Sequence, residues 1–206
     1  MVVLDSRIPL TTTTTITKED AFHSSRSHLA AGWQLKLSDL LYASLMNSDN
    51  RATRALACAV AGTLDSFAEM MNRKVREFGL KNTVFYEPTG LDPRNVSTAH
   101  ELAIILHHAY QYDMIAKITS AQKCSVTVVN RRRLTVQLIN TNRLVGSQFT
   151  VLTGKTGHID ESAYCLATIL RNTDGQKLSL VVLGAPGGRL RFKEARKLAS
   201  WGFQQF

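Results

Sequence analysis

The sequence predicts an α+β fold, with a mainly helical lobe over about 17–122 and an antiparallel sheet with a closing helix over about 123–206. Three observations predict it. Between 38 and 109 apolar residues recur three and four apart, the spacing of one helix face. From Ser125 the period falls to two, as in a half-buried strand. Past 191 the helical spacing returns, so one helix is available to lie on the sheet. A chain of 206 residues buries one substantial core, which predicts a single domain.

Residues 1–10 open on three apolar residues with no cap before them, like the end of a helix. Thr11 to Thr15 form a β-prone run leading into Ile16. Ser24-Ser25-Arg26-Ser27 and Ala30-Ala31-Gly32 have loop composition. Ser38 is placed to N-cap a helix whose apolar face is Leu40, Leu41, Leu45 and Met46, ending near Asn47. Ser48-Asp49-Asn50 interrupts it, and an Ala-rich helical pattern resumes over 51–60. A third helix, 65–78, points Phe67, Met70, Met71, Val75 and Phe78 inward and stops at Gly79. The Met pair reads as core packing. After a Pro- and Gly-punctuated stretch over 80–96, Thr98-x-x-Glu101 reads as a capping box for a helix with Leu102, Ile105, Leu106 and Ala109 inward. Val126 and Val128, then Leu134, Val136 and Leu138, flank Asn130-Arg131-Arg132-Arg133 as a hairpin with a basic tip. Strands follow at 149–156, 163–171 and 178–185, with Thr173-Asp174-Gly175 as the last turn. Phe192, Ala195, Leu198 and Ala199 mark the closing helix.

The composition, 44% hydrophobic and 20% charged, excludes a disordered or collagenous chain. A formal charge of +9 implies an anionic partner: nucleic acid, a membrane surface or an acidic polymer. Three Arg without aromatic stacking residues read as a solvated turn, so no nucleic-acid partner is expected. Cys58, Cys124 and Cys165 are too few and scattered for a disulfide framework or zinc site. His107 and His108 stand at no metal spacing; no metal and no cofactor are expected. The start carries no signal-peptide pattern, and no apolar run is long enough to span a bilayer.

The chemistry concentrates in Lys155-Thr156-Gly157-His158 on an expected strand edge. An extended Lys-Thr-Gly offers an ammonium, a hydroxyl and an open backbone N–H to one anion, and Gly157 admits it close to the main chain. About a hundred residues upstream stands Ser48-Asp49-Asn50. Ser-x-Asn before Lys-Thr-Gly is two-thirds of a penicillin-interacting acyl-transferase signature, whose Ser-x-x-Lys should precede both.

With these motifs, and with 71–85, Glu87-Pro88-Thr89-Gly90-Leu91, Ser97-Thr98-Ala99 and Cys165-Leu166 in order, nearly the whole chain resembles the serine D-alanyl-D-alanine carboxypeptidases and endopeptidases. These are low-molecular-mass penicillin-binding proteins, and the likeness is greatest to their murein endopeptidase branch. The resemblance implies a penicillin-binding-protein/serine β-lactamase-like fold and acyl-enzyme transfer on peptidoglycan stem peptides, in the periplasm or cell envelope. It implies that Ser48 relays a proton near the leaving amine and that the Asn50 amide holds the catalytic Lys and the substrate backbone. Lys155 and Thr156 would bind a terminal carboxylate, and the backbone N–H of His158, reached past Gly157, would supply one oxyanion donor. A Glu-x-x-Leu-Asn loop, which would mark a class A β-lactamase, does not occur between the motifs.

The resemblance also places the family's Ser-x-x-Lys just before Met1, so the chain is expected to be N-terminally truncated, lacking the N-terminal strands and the start of the central helix. Ser120-Ala121-Gln122-Lys123 falls between the other motifs, in the wrong place. Without the nucleophile the chain alone is expected to be inactive, to meet β-lactams covalently only if that residue is restored, and to self-associate through an exposed edge. The alternative is a non-catalytic muropeptide-binding module of the same fold.

Overall fold

The computed structural model describes residues 1–22 and 27–206; the loop expected at Ser24-Ser25-Arg26 lies outside them. In chain order the first elements are α1 (Val2–Asp5), β1 (Thr13–Thr15), α2 (Lys18–Phe22), β2 (Gln34–Lys36), α3 (Leu37–Met46), α4 (Asn50–Ala61), α5 (Leu64–Glu77), α6 (Ala99–Tyr110) and α7 (Asp113–Ser120). Then follow β3 (Lys123–Thr127), β4 (Thr135–Ile139), β5 (Thr150–Ile159), β6 (Ala163–Arg171), β7 (Lys177–Ala185) and α8 (Leu190–Phe203).

α3 is the axis of the helical part. Leu37, Leu40, Leu41, Ala43 and Met46 put it in the core, against α4, whose Ala52, Ala55 and Ala57 let the two backbones approach. Ser38 does not cap it. The helix follows β2 without a break, and its first amides are taken by backbone: Leu37 N–H donates to Thr12 O at 2.9 Å and Ser38 N–H to Leu10 O at 3.0 Å. Those carbonyls flank β1, which pairs antiparallel with β2. β1 falls within the β-prone run expected at Thr11 to Thr15, whereas β2, α2 and α7 are too short to show a sustained hydrophobic period, so sequence patterning passes over them.

α5 starts at its Thr63 cap and ends as expected at Gly79 (φ 71°), where Gly79 N–H donates to Arg76 O and Leu80 N–H to Val75 O, both terminal carbonyls thereby being satisfied. Of its Met pair, Met71 is half-buried and packs against the helical core as expected, while also lining a cleft described below; Met70 is half-buried and not part of that core. At α6 only half of the expected capping box forms. Thr98 Oγ1 accepts Glu101 N–H at 3.1 Å, but the Glu101 carboxylate turns away. It accepts instead from Lys81 N–H and Asn82 N–H, each at 3.0 Å, from Asn82 Nδ2 at 2.8 Å and from the Thr83 hydroxyl at 2.6 Å. Glu101 is therefore a clasp between two segments, and those donors hold its pKa down to about 2, the Thr83 hydroxyl contributing most.

The strands form separate antiparallel ladders: β3 with β4, and the three-stranded order β5-β6-β7, which leaves β5 at an edge. The hairpin does not join that sheet; its Val126 and Leu138 belong to the helical core. α8 packs Phe192, Ala195 and Ala199 onto Leu166, Leu170 and Leu180 as a second core.

Candidate active site

Ser48 lies between the end of α3 and the start of α4, held in the left-handed region at φ 58°. Asp49 fixes this turn. Completely buried, it donates its N–H to Ala43 O at 3.0 Å, and its carboxylate caps α4 through Ala52 N–H at 3.1 Å. The other carboxylate oxygen accepts from the Ser27 hydroxyl at 2.7 Å and His28 N–H at 3.2 Å. With its neighbours so tied, Ser48 faces β5, and Asn50, the first residue of α4, lines the same cleft.

From β5, Lys155 Nζ donates to Ser48 Oγ at 2.6 Å and to Thr156 O at 2.8 Å. The two motifs, 107 residues apart, thus meet. Burial, and secondarily the charge of Arg191, lower the Lys155 pKa to about 8, so that its amine is partly neutral near neutrality. Thr156, 6% exposed, shares a 2.7 Å hydroxyl contact with Thr141, whose N–H donates to Met46 O at 3.0 Å; the strand is thereby fastened to the end of α3.

The cleft these residues share with Gly157 and His158 has a volume of about 690 Å³. Its opposite wall is the turn 85–91, pinned to α5 by the Asn72 carboxamide, which donates to Phe85 O at 2.6 Å and accepts from Phe85 N–H at 2.8 Å. Glu87 stands in this wall, but its carboxylate is turned onto its own loop: Thr89 N–H at 2.6 Å, Leu91 N–H at 2.9 Å and Asn95 Nδ2 at 2.9 Å. The cation–anion balance of the cleft is accordingly positive.

Sequence patterning missed Arg191, which lines the cleft from the start of α8. Its Nη1 donates to Gly157 O at 2.9 Å and Cys165 O at 3.3 Å, and its guanidinium lies 5.5 Å from the Tyr164 ring centroid. Its Nε is buried without a hydrogen-bond partner among the described residues. Thr141 and Met71 were missed likewise; a lone Arg, Thr or Met carries no spacing signal, and only tertiary structure brings them here. The His158 ring lies tilted against that of Tyr164, its cross-strand partner, with centroids 3.9 Å apart. Ser120 and Lys123 lie elsewhere: Ser120 ends α7 and faces a different hollow, and Lys123 is exposed at the start of β3.

A family model for D-alanyl-D-alanine carboxypeptidase matches residues 1–187. The chain is 34% identical over 205 residues to a D-alanyl-D-alanine endopeptidase of Pseudomonas aeruginosa and 33% identical over 206 residues to that of Escherichia coli. Each match covers 98% of this chain and 65% of the relative, so the chain spans just under two-thirds of their length. Among solved structures, the Streptomyces K15 DD-transpeptidase superposes with a TM-score of 0.90 at 27% identity, covering 98% of this chain and 83% of that one. The fold is that of the penicillin-binding DD-peptidases and DD-transpeptidases. The chain belongs to the D-alanyl-D-alanine carboxypeptidase family.

Proposed function

We propose that the chain carries the substrate-binding side of a serine-type D-alanyl-D-alanine peptidase, carboxypeptidase or endopeptidase, acting on peptidoglycan stem peptides in the cell envelope. The observation that carries this is the 2.6 Å contact between Lys155 Nζ and Ser48 Oγ, which sets an ammonium and a hydroxyl side by side in one cleft. In this reading Lys155, Thr156 and Arg191 hold the substrate's terminal carboxylate, Arg191 bringing its guanidinium to the cleft wall beside Lys155. Ser48 relays a proton between Lys155 and the leaving amine, the lowered Lys155 pKa making that exchange feasible near neutrality. Asn50 holds the peptide backbone, and the His158 N–H, reached past Gly157, faces the developing oxyanion. No metal or cofactor enters the scheme.

For the 206 residues alone we propose binding without turnover, as a muropeptide-binding module would behave. The Ser-x-x-Lys string present does not face the cleft. N-acetyl-D-alanyl-D-alanine should bind, measured by calorimetry, without D-alanine release, and a fluorescent penicillin should leave no covalent label. A label on Ser48, or no peptide binding, would overturn the proposal. Self-association belongs to the same proposal: an apolar hollow of about 250 Å³ between Val2, Leu41, Phe67 and Val75 is open to a second surface. Sedimentation showing a monomer at micromolar concentration would remove that part.

A further inference from the structure

Adjoining the cleft, and sharing Arg191 and Thr141 with it, is a second concavity of about 600 Å³. Arg143, Arg189 and Arg191 line it, and no Asp or Glu does. Arg143 and Arg189 are exposed, and neither has an acidic partner among the described ion pairs. Three guanidinium groups gathered without a counter-charge repel one another; burial chiefly lowers the Arg191 pKa, and the Arg143 charge adds a smaller push in the same direction. Such a cluster is stabilised when an anion enters. Tyr164 and the exposed Ile139 supply apolar wall beside the charges, suited to methylene groups. Arg189 occupies the N-cap of α8 without capping it through its side chain, so the positive end of that helix adds to the same field.

We infer that this concavity is a second carboxylate pocket, which receives the acidic side chain of the residue on the leaving-group side of a D-peptide held in the cleft. The inference rests on the cleft reading above. Because the concavity adjoins the cleft at Arg191 and Thr141, an acidic side chain on a leaving residue whose terminal carboxylate is on Lys155 and Arg191 would bring its carboxylate towards Arg143 and Arg189, a charge that a methyl group does not carry. The pocket therefore selects substrates whose leaving residue carries a second carboxylate over those that release plain alanine.

The test is calorimetry at low salt with two probes, N-acetyl-D-alanyl-D-alanine and N-acetyl-D-alanyl-D-glutamate. The glutamate peptide should bind about fivefold more tightly, the scale of a partly exposed charge pair. In the double variant Arg143→Ala/Arg189→Ala that advantage should vanish while the alanine peptide binds as before, circular dichroism confirming the fold. Equal affinities in the parent protein, or an advantage that survives in the double variant, overturn the inference. If neither peptide binds, the cleft reading has failed, and glutarate alone decides the pocket. Saturable shifts of the Arg143 and Arg189 guanidinium NMR signals would uphold an anion site there; unchanged signals would overturn it.

Discussion

Lys155 titrates within the range where the molecule is handled, and its two protonation states differ in what they bind. Its pKa is lowered from 10.5 to about 8, so the folded chain releases this proton before the unfolded chain does. Folding stability should therefore rise as pH climbs from about 8 towards 10.5, because only the unfolded state still holds the proton there. Carboxylate affinity should move the opposite way, weakening as pH passes about 8 and the ammonium is lost. Calorimetry of N-acetyl-D-alanyl-D-alanine at pH 7 and 9 checks this, and Lys155→Met should bind weakly at both. Asp49 is the other decisive single residue. Asp49→Ala removes the cap of α4 and takes the acceptor away from the part-buried Ser27 hydroxyl and the His28 N–H, a loss of about 1–3 kcal/mol in urea unfolding. Asp49→Asn, which keeps an acceptor, should recover part of it. The sequence announced Ser48, Asn50 and Lys155 through their motifs, but Asp49 showed no sign of being the buried centre of the turn, since a carboxylate's burial depends on donors far away in the chain.

Along β5 the two glycines differ in what surrounds them. A Cβ on Gly154 would stand 2.8 Å from Thr168 Oγ1 and 3.0 Å from Ala167 O, whereas one on Gly157 meets only Cys165 Cβ at 3.6 Å. Gly154→Ala should cost about 1–3 kcal/mol by forcing the β5–β6 ladder apart, and Gly157→Ala should leave the melting temperature nearly unchanged. Calorimetric scans of the two variants check the contrast. The long elements are legible in the sequence because their periods are sustained. α3, α5, α6, α8, the hairpin and β5 to β7 fall within a few residues of their expected places. What patterning could not supply was long-range pairing: Leu10 and Thr12 carbonyls in place of a Ser38 cap, and Glu101 spent on 81–83 rather than on its own helix. Both are cases where a local motif is outcompeted by groups from elsewhere in the chain, backbone carbonyls for Ser38 and a mixture of backbone and side-chain donors for Glu101.

At the scale of the molecule, two cores meet at the cleft, one built on α3 and one on β6 and α8. A buried hydroxyl pair, Thr119 with Thr153 at 3.0 Å, links α7 to β5 near that seam. A ligand seated between the cores binds only when both are assembled. At a hundredfold excess over its dissociation constant it should raise unfolding stability by about 2.7 kcal/mol, in a single transition. Acid should act through the clasp instead. The stabilisation from Glu101, complete above its ordinary pKa of 4.5, should be lost progressively as pH falls from 4.5 and be gone once pH has fallen through about 2. Glu101→Gln, compared with the parent by urea unfolding between pH 2 and 6, should narrow the difference towards the acid end.

The backbone at Ser48 has a consequence for how this loop tolerates change. A side chain bearing a β-carbon is ill at ease at φ 58°, a conformation costing an L-residue about 1 kcal/mol that glycine escapes. Ser48→Ala and Ser48→Gly both delete the hydroxyl, yet the glycine protein should melt later than the alanine one. Selection for robustness alone would drift towards glycine here, and selection for a working proton path would resist it.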